Sequence, residues 1–206
     1  MEDPRRSSPA FTRNAEPILD VLARLLPDDG LVLEVASGPG EHAAFFASRL
    51  AADRTVWQWQ PTDLDPDNLT SIDAYARAVD RGGQILLPAK RLDATEEDWP
   101  VARAAAMVCI NMIHIAPWAA CEGLLRGAGK VLAQGGPLYL YGPYKREGRH
   151  TAPSNEAFDA SLRARNPEWG VRDLDDVSAL AAANGLRFEE AVDMPANNLS
   201  VIFRKL

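Results

Sequence analysis

The hydrophobic residues of this chain repeat with two different periods, and the switch between them predicts alternating strands and helices. Residues 31–50 show this most plainly. The apolar run Leu31–Val35 leads into the turn ASGPG, and apolar residues then recur at helical spacing up to Leu50. A short, nearly continuous apolar run is typical of a strand covered on both faces, whereas apolar residues three and four apart are typical of a helix. This stretch therefore predicts a strand, a glycine turn and a helix.

The same alternation continues to the end of the chain. It predicts further strands at 55–60, 85–92, 107–110, 137–144, 186–192 and 199–204, and helices at 15–26, 66–79, 118–132, 158–165 and 174–183. The last two strands are joined only by DMPANN, which is long enough for a hairpin, so the last strand must run antiparallel to its neighbour. The predicted fold is α/β: one doubly wound, seven-stranded, mostly parallel sheet with an antiparallel last strand and helices on both faces.

Two segments fall outside this alternation, and two polar residues mark helix starts. Residues 1–11 lack periodicity and are expected to form an arm that is free or laid over the domain, and residues 145–153 are expected to form a polar, irregular loop. Asn14 and Asp65 are predicted to cap the first and third helices. With 206 residues, of which 47% are hydrophobic, the chain is expected to form a single domain over 1–206.

The glycine turn after the first strand is the main candidate for chemistry. Gly38 and Gly40 lack a Cβ, which allows a sharp turn and a close approach to a ligand, and the following helix directs its positive end at the same place. GPGEHA also fits the dinucleotide fingerprint G-x-G-x-x-A, so a nicotinamide cofactor is one interpretation. Glu34, inside the strand, favours S-adenosylmethionine, whose amino group can face a carboxylate. The simplest alternative is an ordinary strand-to-helix turn.

Polar side chains follow the next strands at the edge where an open α/β sheet binds its ligands. Asp63 lies 23 residues beyond Gly40, a spacing that suits a carboxylate accepting both hydroxyls of a ribose, although a turn or capping role is the alternative. Asp93 is suited to an adenine amine or, equally, to starting a turn. Asn111 and His114 follow the fourth strand. His114 is a candidate general base, and the competing interpretation is a structural histidine.

Composition excludes several classes of function. The net charge is -7, from 22 basic and 29 acidic residues, and no dense Lys/Arg cluster is present, which argues against nucleic acid as a partner. The two cysteines lack C-x-x-C spacing, so neither a disulfide framework nor a zinc site is expected, and no metal site is predicted. No membrane-length apolar run or export signal is found, so the expectation is a cytoplasmic protein without a membrane partner.

Five segments together carry a resemblance to a known family: RNAEPIL, LEVASGPGEHAAFFA, WQPTDLDP, NMIHIAPW and PANNLSVIF. They resemble the class I S-adenosylmethionine-dependent methyltransferases and, more narrowly, an uncharacterised family of methyltransferase-like proteins of about this length found in bacteria and animals. One departure is visible. The E/D-x-G-x-G-x-G pattern of the class has Ala36 at its first glycine, and we expect Ala36 to have an ordinary negative φ.

The resemblance implies S-adenosylmethionine as cofactor, with Glu34 at its methionine end, Asp63 and the neighbouring Leu64 at its ribose, and Asn111 beside its sulfonium. It further implies Gly38 and Gly40 as the close turn and Asp93 and Ala94 as the residues facing adenine. Asn111 and His114 are the candidate catalytic residues. Five other polar or aromatic residues are placed to line the open end of the site: Tyr141, Tyr144, His150, Asn155 and Asn198.

The function expected from these features is methyl transfer from S-adenosylmethionine to an unidentified small-molecule acceptor, by in-line displacement. Because the methyl group is already activated, holding donor and acceptor aligned is the main task of the protein. Two alternatives stay open: an NAD-dependent oxidoreductase built on the same glycine turn, and a catalytically silent cofactor-binding protein that acts through a partner.

Overall fold

The strand, turn and helix predicted at 31–50 form the centre of the sheet in a computed structural model of the protein, which describes residues 3–51, 56–79 and 84–206. The helices are α1 Phe11–Leu25, α2 Glu41–Leu50, α3 Pro66–Val79, α4 Trp118–Val131, α5 Pro153–Arg165 and α6 Leu174–Ala183. The strands are β1 Asp29–Val35, β2 Val56–Asp63, β3 Lys90–Arg91, β4 Ala106–Ile110, β5 Pro137–Gly142, β6 Tyr144–Arg146, β7 Arg149–His150, β8 Arg172–Asp173, β9 Leu186–Met194 and β10 Asn198–Lys205.

The large sheet has seven strands in the order β3-β2-β1-β4-β5-β10-β9. The first five strands in this order are parallel to one another, and β10 is antiparallel to both β5 and β9. This arrangement confirms the predicted fold class. Because β1 pairs with β2 on one side and β4 on the other, the carboxyl ends of these strands, and of β5 next to them, lie along one edge of the sheet.

Both faces of the sheet are buried, as the apolar run in β1 predicted. Leu33 and Val35 belong to a core with α4 and α6, whereas Val32 belongs to a second core with α1 and α2. Successive side chains of a strand point to opposite faces, so a central strand must be apolar at nearly every position. Glu34 is the exception in this strand, and its position is described below.

Several predicted element boundaries are wrong, and helix α5 begins at Pro153 instead of residue 158. Helix α1 begins at Phe11, without a side-chain cap at Ala10, and Asn14 is a buried residue inside the helix rather than its cap. The predicted strand 85–92 is reduced to β3, with Leu86 joined to Trp59 by a single bridge. Pro88 lies between these two pieces and has no N–H to donate, which interrupts the ladder. Thr55, predicted to start β2, lies outside the described residues.

The loop predicted at 145–153 is also corrected. Strands β6 and β7 form a hairpin there, and β8 joins it to give a small sheet of order β7-β6-β8. Its turn residues Glu147 and Gly148 have φ values of 52° and 75°, the left-handed geometry of a tight type I′ hairpin turn. The predicted cap of α3 is confirmed, because the Asp67 N–H donates to Asp65 Oδ1 at 2.9 Å.

Candidate functional site

The turn between β1 and α2 is built from residues in the left-handed region. Ala36, Gly38 and Gly40 have φ values of 58°, 58° and 90°. The expectation of a negative φ at Ala36 is therefore wrong, and alanine in this region costs about 1–2 kcal/mol. The Ser37 N–H donates to the Thr62 carbonyl at 2.8 Å, which ties the turn to the end of β2. The turn thus keeps a costly backbone conformation that the neighbouring strand helps to fix.

The two glycines of the turn differ in what surrounds them. A Cβ on Gly40 would lie 2.8 Å from Ile72 Cγ1 and 2.9 Å from Ile72 Cα, so the space beside Gly40 belongs to helix α3. A Cβ on Gly38 would meet no atom of the described structure within 4 Å. Both glycines were predicted to allow close approach of a ligand. The structure leaves room for a ligand at Gly38 and gives Gly40 a packing role.

Glu34 lies beneath the turn and is only 1% exposed. The Trp59 indole N–H donates to its Oε2 at 2.9 Å, and no cation of the described residues forms an ion pair with it. Burial raises the pKa of the Glu34 carboxyl to about 7, against the lowering effect of hydrogen bonds from Trp59 and Ser37. A buried carboxyl without a positive partner is costly to ionise, and a cationic group bound at the turn would relieve that cost.

Asp63, at the end of β2, holds three parts of the site together. Its Oδ2 accepts from the Gly38 N–H at 2.8 Å, and its Oδ1 accepts from the Asp65 N–H at 2.9 Å and from Asn68 Nδ2 at 3.1 Å. The carboxylate is 7% exposed. Asp63 therefore connects the glycine turn to the start of α3. A carboxylate has about four lone-pair positions, and these three hydrogen bonds use three of them. The remaining position can accept one ribose hydroxyl, whereas both hydroxyls were predicted to bind Asp63.

The other residues predicted to bind the cofactor, Leu64, Asp93 and Ala94, follow β2 and β3. Leu64 is 50% exposed beside Asp63, and Ala94 is buried. Asp93 Oδ1 accepts from both the N–H and the hydroxyl of Thr95, at 2.9 and 2.7 Å. Those two hydrogen bonds lower the pKa of Asp93 and make it the first residue of a turn. The turn role predicted for Asp93 is observed, and it leaves the second carboxylate oxygen for the adenine role.

Asn111 and His114 follow β4 but differ in accessibility. Asn111 is half-buried with φ 62°, and its N–H donates to the Tyr141 carbonyl at 2.8 Å. His114 is fully buried, its ring packs edge-on against Tyr144 at 5.0 Å, and its Nδ1 accepts from the Arg172 N–H at 3.3 Å. Burial lowers the pKa of His114 to about 3. This geometry is that of a structural histidine and does not support His114 as a general base.

A polar cluster at the same edge of the sheet joins Tyr141 and Asn198, which were predicted to line the site, to Asn14 and His42, which were not. His42 Nε2 and Asn14 Oδ1 are 2.8 Å apart, and Asn198 Nδ2 donates to the Tyr141 hydroxyl at 3.1 Å. Burial raises the pKa of Tyr141, opposed by hydrogen bonds from Asn198 and Asn14, which joins the two pairs. Burial lowers the pKa of His42 to about 4, so its imidazole is neutral near pH 7. The sequence signal for Asn14 is its spacing of four residues from Ile18, which places it on the apolar face of the helix.

The other residues predicted to line the open end are placed differently. Tyr144 is fully buried, and its hydroxyl has no hydrogen-bond partner among the described residues. Asn155 is buried and donates to the Asn197 carbonyl at 2.9 Å, and His150 Nε2 lies 3.3 Å from Asp159 Oδ2. These three residues therefore serve packing and loop contacts. Of the five, Tyr141 and Asn198 lie at the carboxyl end of β5.

A polar cavity of about 360 Å³ lies beside the Tyr141–Asn198 pair. Its walls include Thr151, Met194, Asn198 and Leu199. Leu199 pairs with Gly142, the last residue of β5, which places this cavity next to the carboxyl edge. Across the described ranges, no group of His, Cys, Asp or Glu side chains could hold a metal ion, and no helix is long and apolar enough to cross a membrane.

Several solved structures share this fold. An O-methyltransferase family protein from Burkholderia thailandensis has a TM-score of 0.78 at 16% identity, with 95% of this chain and 57% of that chain covered. Human N-acetylserotonin methyltransferase, solved in complex with S-adenosylmethionine, has a TM-score of 0.75 at 16% identity, over 95% and 52% of the two chains. A methyltransferase-like protein from Bacillus halodurans has a TM-score of 0.66 at 19% identity, over 92% and 97%. The chain spans little more than half the length of the first two.

These likenesses show that the protein has the class I methyltransferase fold. They agree with the seven-stranded, mostly parallel sheet described above. A family described as protein of unknown function (DUF938) matches residues 5–205, nearly the whole chain. The chain belongs to this family.

Proposed function

We propose that the protein is an S-adenosylmethionine-dependent methyltransferase that acts on a small-molecule acceptor. The observation that carries this proposal is a combination at one edge of the sheet: open space at Gly38, the Asp63 carboxylate bonded to that same glycine, and beneath the turn the buried Glu34 carboxyl, which has no ion-pair partner among the described residues. A nicotinamide dinucleotide would offer no ammonium group to Glu34. S-adenosylmethionine offers one, together with a ribose for Asp63.

The residues present fit this cofactor. Asp63 keeps one lone-pair position for a ribose hydroxyl, and the exposed side chain of Leu64 offers an apolar surface for an adenine ring. Glu34 would supply a negative charge near the amino group of the methionine portion. The cofactor, when bound, would supply a methyl group already activated by its positively charged sulfur.

The chain itself would mainly align the acceptor. Among the described residues, neither histidine at this edge is an accessible base, since His114 is buried with a low pKa and His42 is bonded to Asn14. Transfer to an acceptor with a free lone pair needs little proton removal, and alignment alone is worth up to roughly 7–11 kcal/mol of barrier. The half-buried side chain of Asn111, together with the polar cavity beside Asn198, is the place where we expect the acceptor to be oriented.

Thermal unfolding with candidate cofactors tests the proposal. A ligand present at about 100 times its Kd stabilises the folded state by roughly 2.7 kcal/mol, and each kcal/mol shifts the midpoint by about 2–4 °C for a chain of this size. S-adenosylmethionine or S-adenosylhomocysteine is therefore expected to raise the midpoint by roughly 5–11 °C, and NAD or NADP by almost nothing. An equal shift from NAD would refute the assignment.

Labelled methyl transfer then separates an enzyme from a silent binding protein. Methyl-labelled S-adenosylmethionine is incubated with the protein and with fractionated small-molecule and protein extracts. The expected result is label in a small-molecule fraction. Cofactor binding without transfer to any fraction would favour a protein that binds the cofactor and acts through a partner.

A further inference from the structure

Residues 3–10, called here the N-terminal arm, lie along helices α2 and α3. The Arg6 N–H donates to Ser71 Oγ at 2.9 Å, and the Arg6 carbonyl accepts from the Tyr75 hydroxyl at 3.0 Å. The Ser8 N–H donates to Glu41 Oε2 at 2.9 Å. These contacts use the backbone of the arm and side chains of the two helices. The arm is thus docked by a specific set of hydrogen bonds, the second of the two arrangements predicted for it.

Two of the residues that receive the arm, Ser71 and Asn68, also contact the glycine turn or Asp63. Ser71 is fully buried, and its hydroxyl donates to the Pro39 carbonyl, in the middle of the glycine turn, at 2.7 Å. Asn68 accepts from Arg6 Nη1 at 3.4 Å and donates to Asp63 Oδ1 at 3.1 Å. Each of these contacts of the arm therefore lies one side chain away from the turn or from Asp63.

The spacing of Asn68 and Ser71 places both side chains between the arm and the site. Asn68 and Ser71 are three residues apart on α3, so they share one face of the helix, between the arm on one side and the site on the other. The turn that they reach contains Ala36 in a left-handed conformation, which is unfavourable for alanine. A costly backbone conformation persists only when its surroundings fix it, and the arm adds to those surroundings.

We propose that the N-terminal arm supports the cofactor site. Through its hydrogen bonds with Ser71 and Asn68 the arm stabilises the glycine turn and Asp63, so that arm docking and cofactor binding strengthen each other. This inference rests on the proposed function, because it takes the turn and Asp63 as the cofactor site. Coupling between two sites is reciprocal: if the docked arm increases cofactor affinity, the bound cofactor must stabilise the docked arm by the same factor. A merely structural arm would show no such response.

The first measurement uses the full-length protein without any substitution. Amide hydrogen exchange at Arg6 and Ser8, whose N–H groups make the docking hydrogen bonds, is followed by NMR with and without saturating S-adenosylhomocysteine. We expect exchange of both amides to slow by at least fivefold when the ligand binds, within the usual range of such couplings.

The second measurement uses variants that loosen the arm without touching the site. Arg6→Pro removes the N–H that donates to Ser71, whereas Ser7→Pro places the same ring at a residue whose N–H has no acceptor in the described part of the chain. We expect Arg6→Pro to increase the Kd of S-adenosylhomocysteine roughly five- to fiftyfold and Ser7→Pro to leave it within twofold.

A serine pair gives an independent check. Ser71→Ala removes the link between the arm and Pro39, and Ser48→Ala removes an exposed hydroxyl bond to the Phe45 carbonyl of α2. Ser71→Ala is expected to weaken binding at least fivefold, and Ser48→Ala less than twofold.

The outcomes separate the two proposals. Slowed exchange with ligand, together with weaker binding in Arg6→Pro and Ser71→Ala alone, supports the inference. If S-adenosylhomocysteine binds the wild type but neither the exchange rates nor the Kd of Arg6→Pro change, the arm is only a cover and the inference is overturned. If the wild type binds no S-adenosylhomocysteine, the proposed function fails, and the inference that rests on it fails too.

Discussion

Alanine substitutions at Gly38 and Gly40 should separate ligand binding from folding. Both glycines are in the left-handed region, so alanine meets the same kind of backbone penalty at each, and the two positions differ in their surroundings. A Cβ at Gly38 faces open space, whereas a Cβ at Gly40 overlaps Ile72. If the open space is where the cofactor lies, Gly38→Ala will block the ligand and Gly40→Ala will mainly disturb the packing of α2 on α3.

The magnitudes follow from the geometry. Left-handed backbone costs alanine about 1–2 kcal/mol, and replacing glycine returns roughly 0.5–1 kcal/mol through the unfolded chain, so Gly38→Ala should destabilise by about 0–1.5 kcal/mol. At Gly40 the approach of 2.8 Å to Ile72 adds an overpacking cost of roughly 1–3 kcal/mol. Gly40→Ala should therefore destabilise by about 1–4.5 kcal/mol. Ala36, with φ 58° in the native chain, shows that the fold tolerates alanine in this conformation.

The assay is urea unfolding without ligand, followed by titration with S-adenosylhomocysteine on the folded proteins. We expect Gly38→Ala to unfold near the wild-type midpoint and to lose binding by at least tenfold. Gly40→Ala should unfold at clearly lower urea and keep a larger share of its affinity. Wild-type binding by Gly38→Ala would refute the reasoning, because the open space at that glycine would then not be occupied by the cofactor.

Three further predictions concern the titratable residues of the candidate site. Burial raises the pKa of Glu34 from 4.5 to about 7, so between these pH values the folded state holds a proton that the unfolded state lacks. As the pH rises from about 4 to 8, the unfolding free energy of the wild type should therefore fall by roughly 3 kcal/mol more than that of Glu34→Gln. Equal pH dependence of the two proteins in urea unfolding would contradict this. Asp63→Ala leaves three donors without their acceptor and should cost roughly 2–4 kcal/mol, measured against about 1 kcal/mol for the capping residue in Asp65→Ala. His114→Asn should destabilise by about 1–3 kcal/mol while lowering methyl transfer by less than tenfold in the folded enzyme, and a larger loss of rate with intact stability would restore its role as a base.

The fold was predictable because its signals are local in the sequence. The apolar run of β1, the glycine turn and the periodic helix α2 stand within twenty consecutive residues, and the DMPANN connection decides the direction of the last strand. Parallel strands need crossover helices, so alternating elements leave few possible topologies. The β6–β7 hairpin was not predicted because its strands are short and polar. They are stabilised by pairing with β8, which lies more than twenty residues further along the chain.

The position of the candidate site could be predicted from the sequence, but most of the contacts within it could not. The acids at the strand ends were identifiable because parallel strands bring their carboxyl ends to one edge. The hydrogen-bond partners in and around the candidate site come from distant segments, as in the bond from Trp59 to Glu34 or from Arg6 to Ser71. No local pattern in the sequence indicates these pairs. The left-handed φ of Ala36 was likewise invisible, because alanine is a residue for which that conformation is not expected.

Asp63 shows how a structural role and the binding role proposed for it combine in one side chain. Three hydrogen bonds from the turn and α3 fix its orientation before any ligand arrives, and they also satisfy most of the cost of burying its charge. A hydroxyl that binds the remaining lone pair then meets an acceptor that needs no reorganisation, which makes a single hydrogen bond more effective than it would be to a mobile carboxylate. The turn interpretation and the ribose interpretation of Asp63 are therefore not competitors, because the contacts that support the first create the conditions for the second.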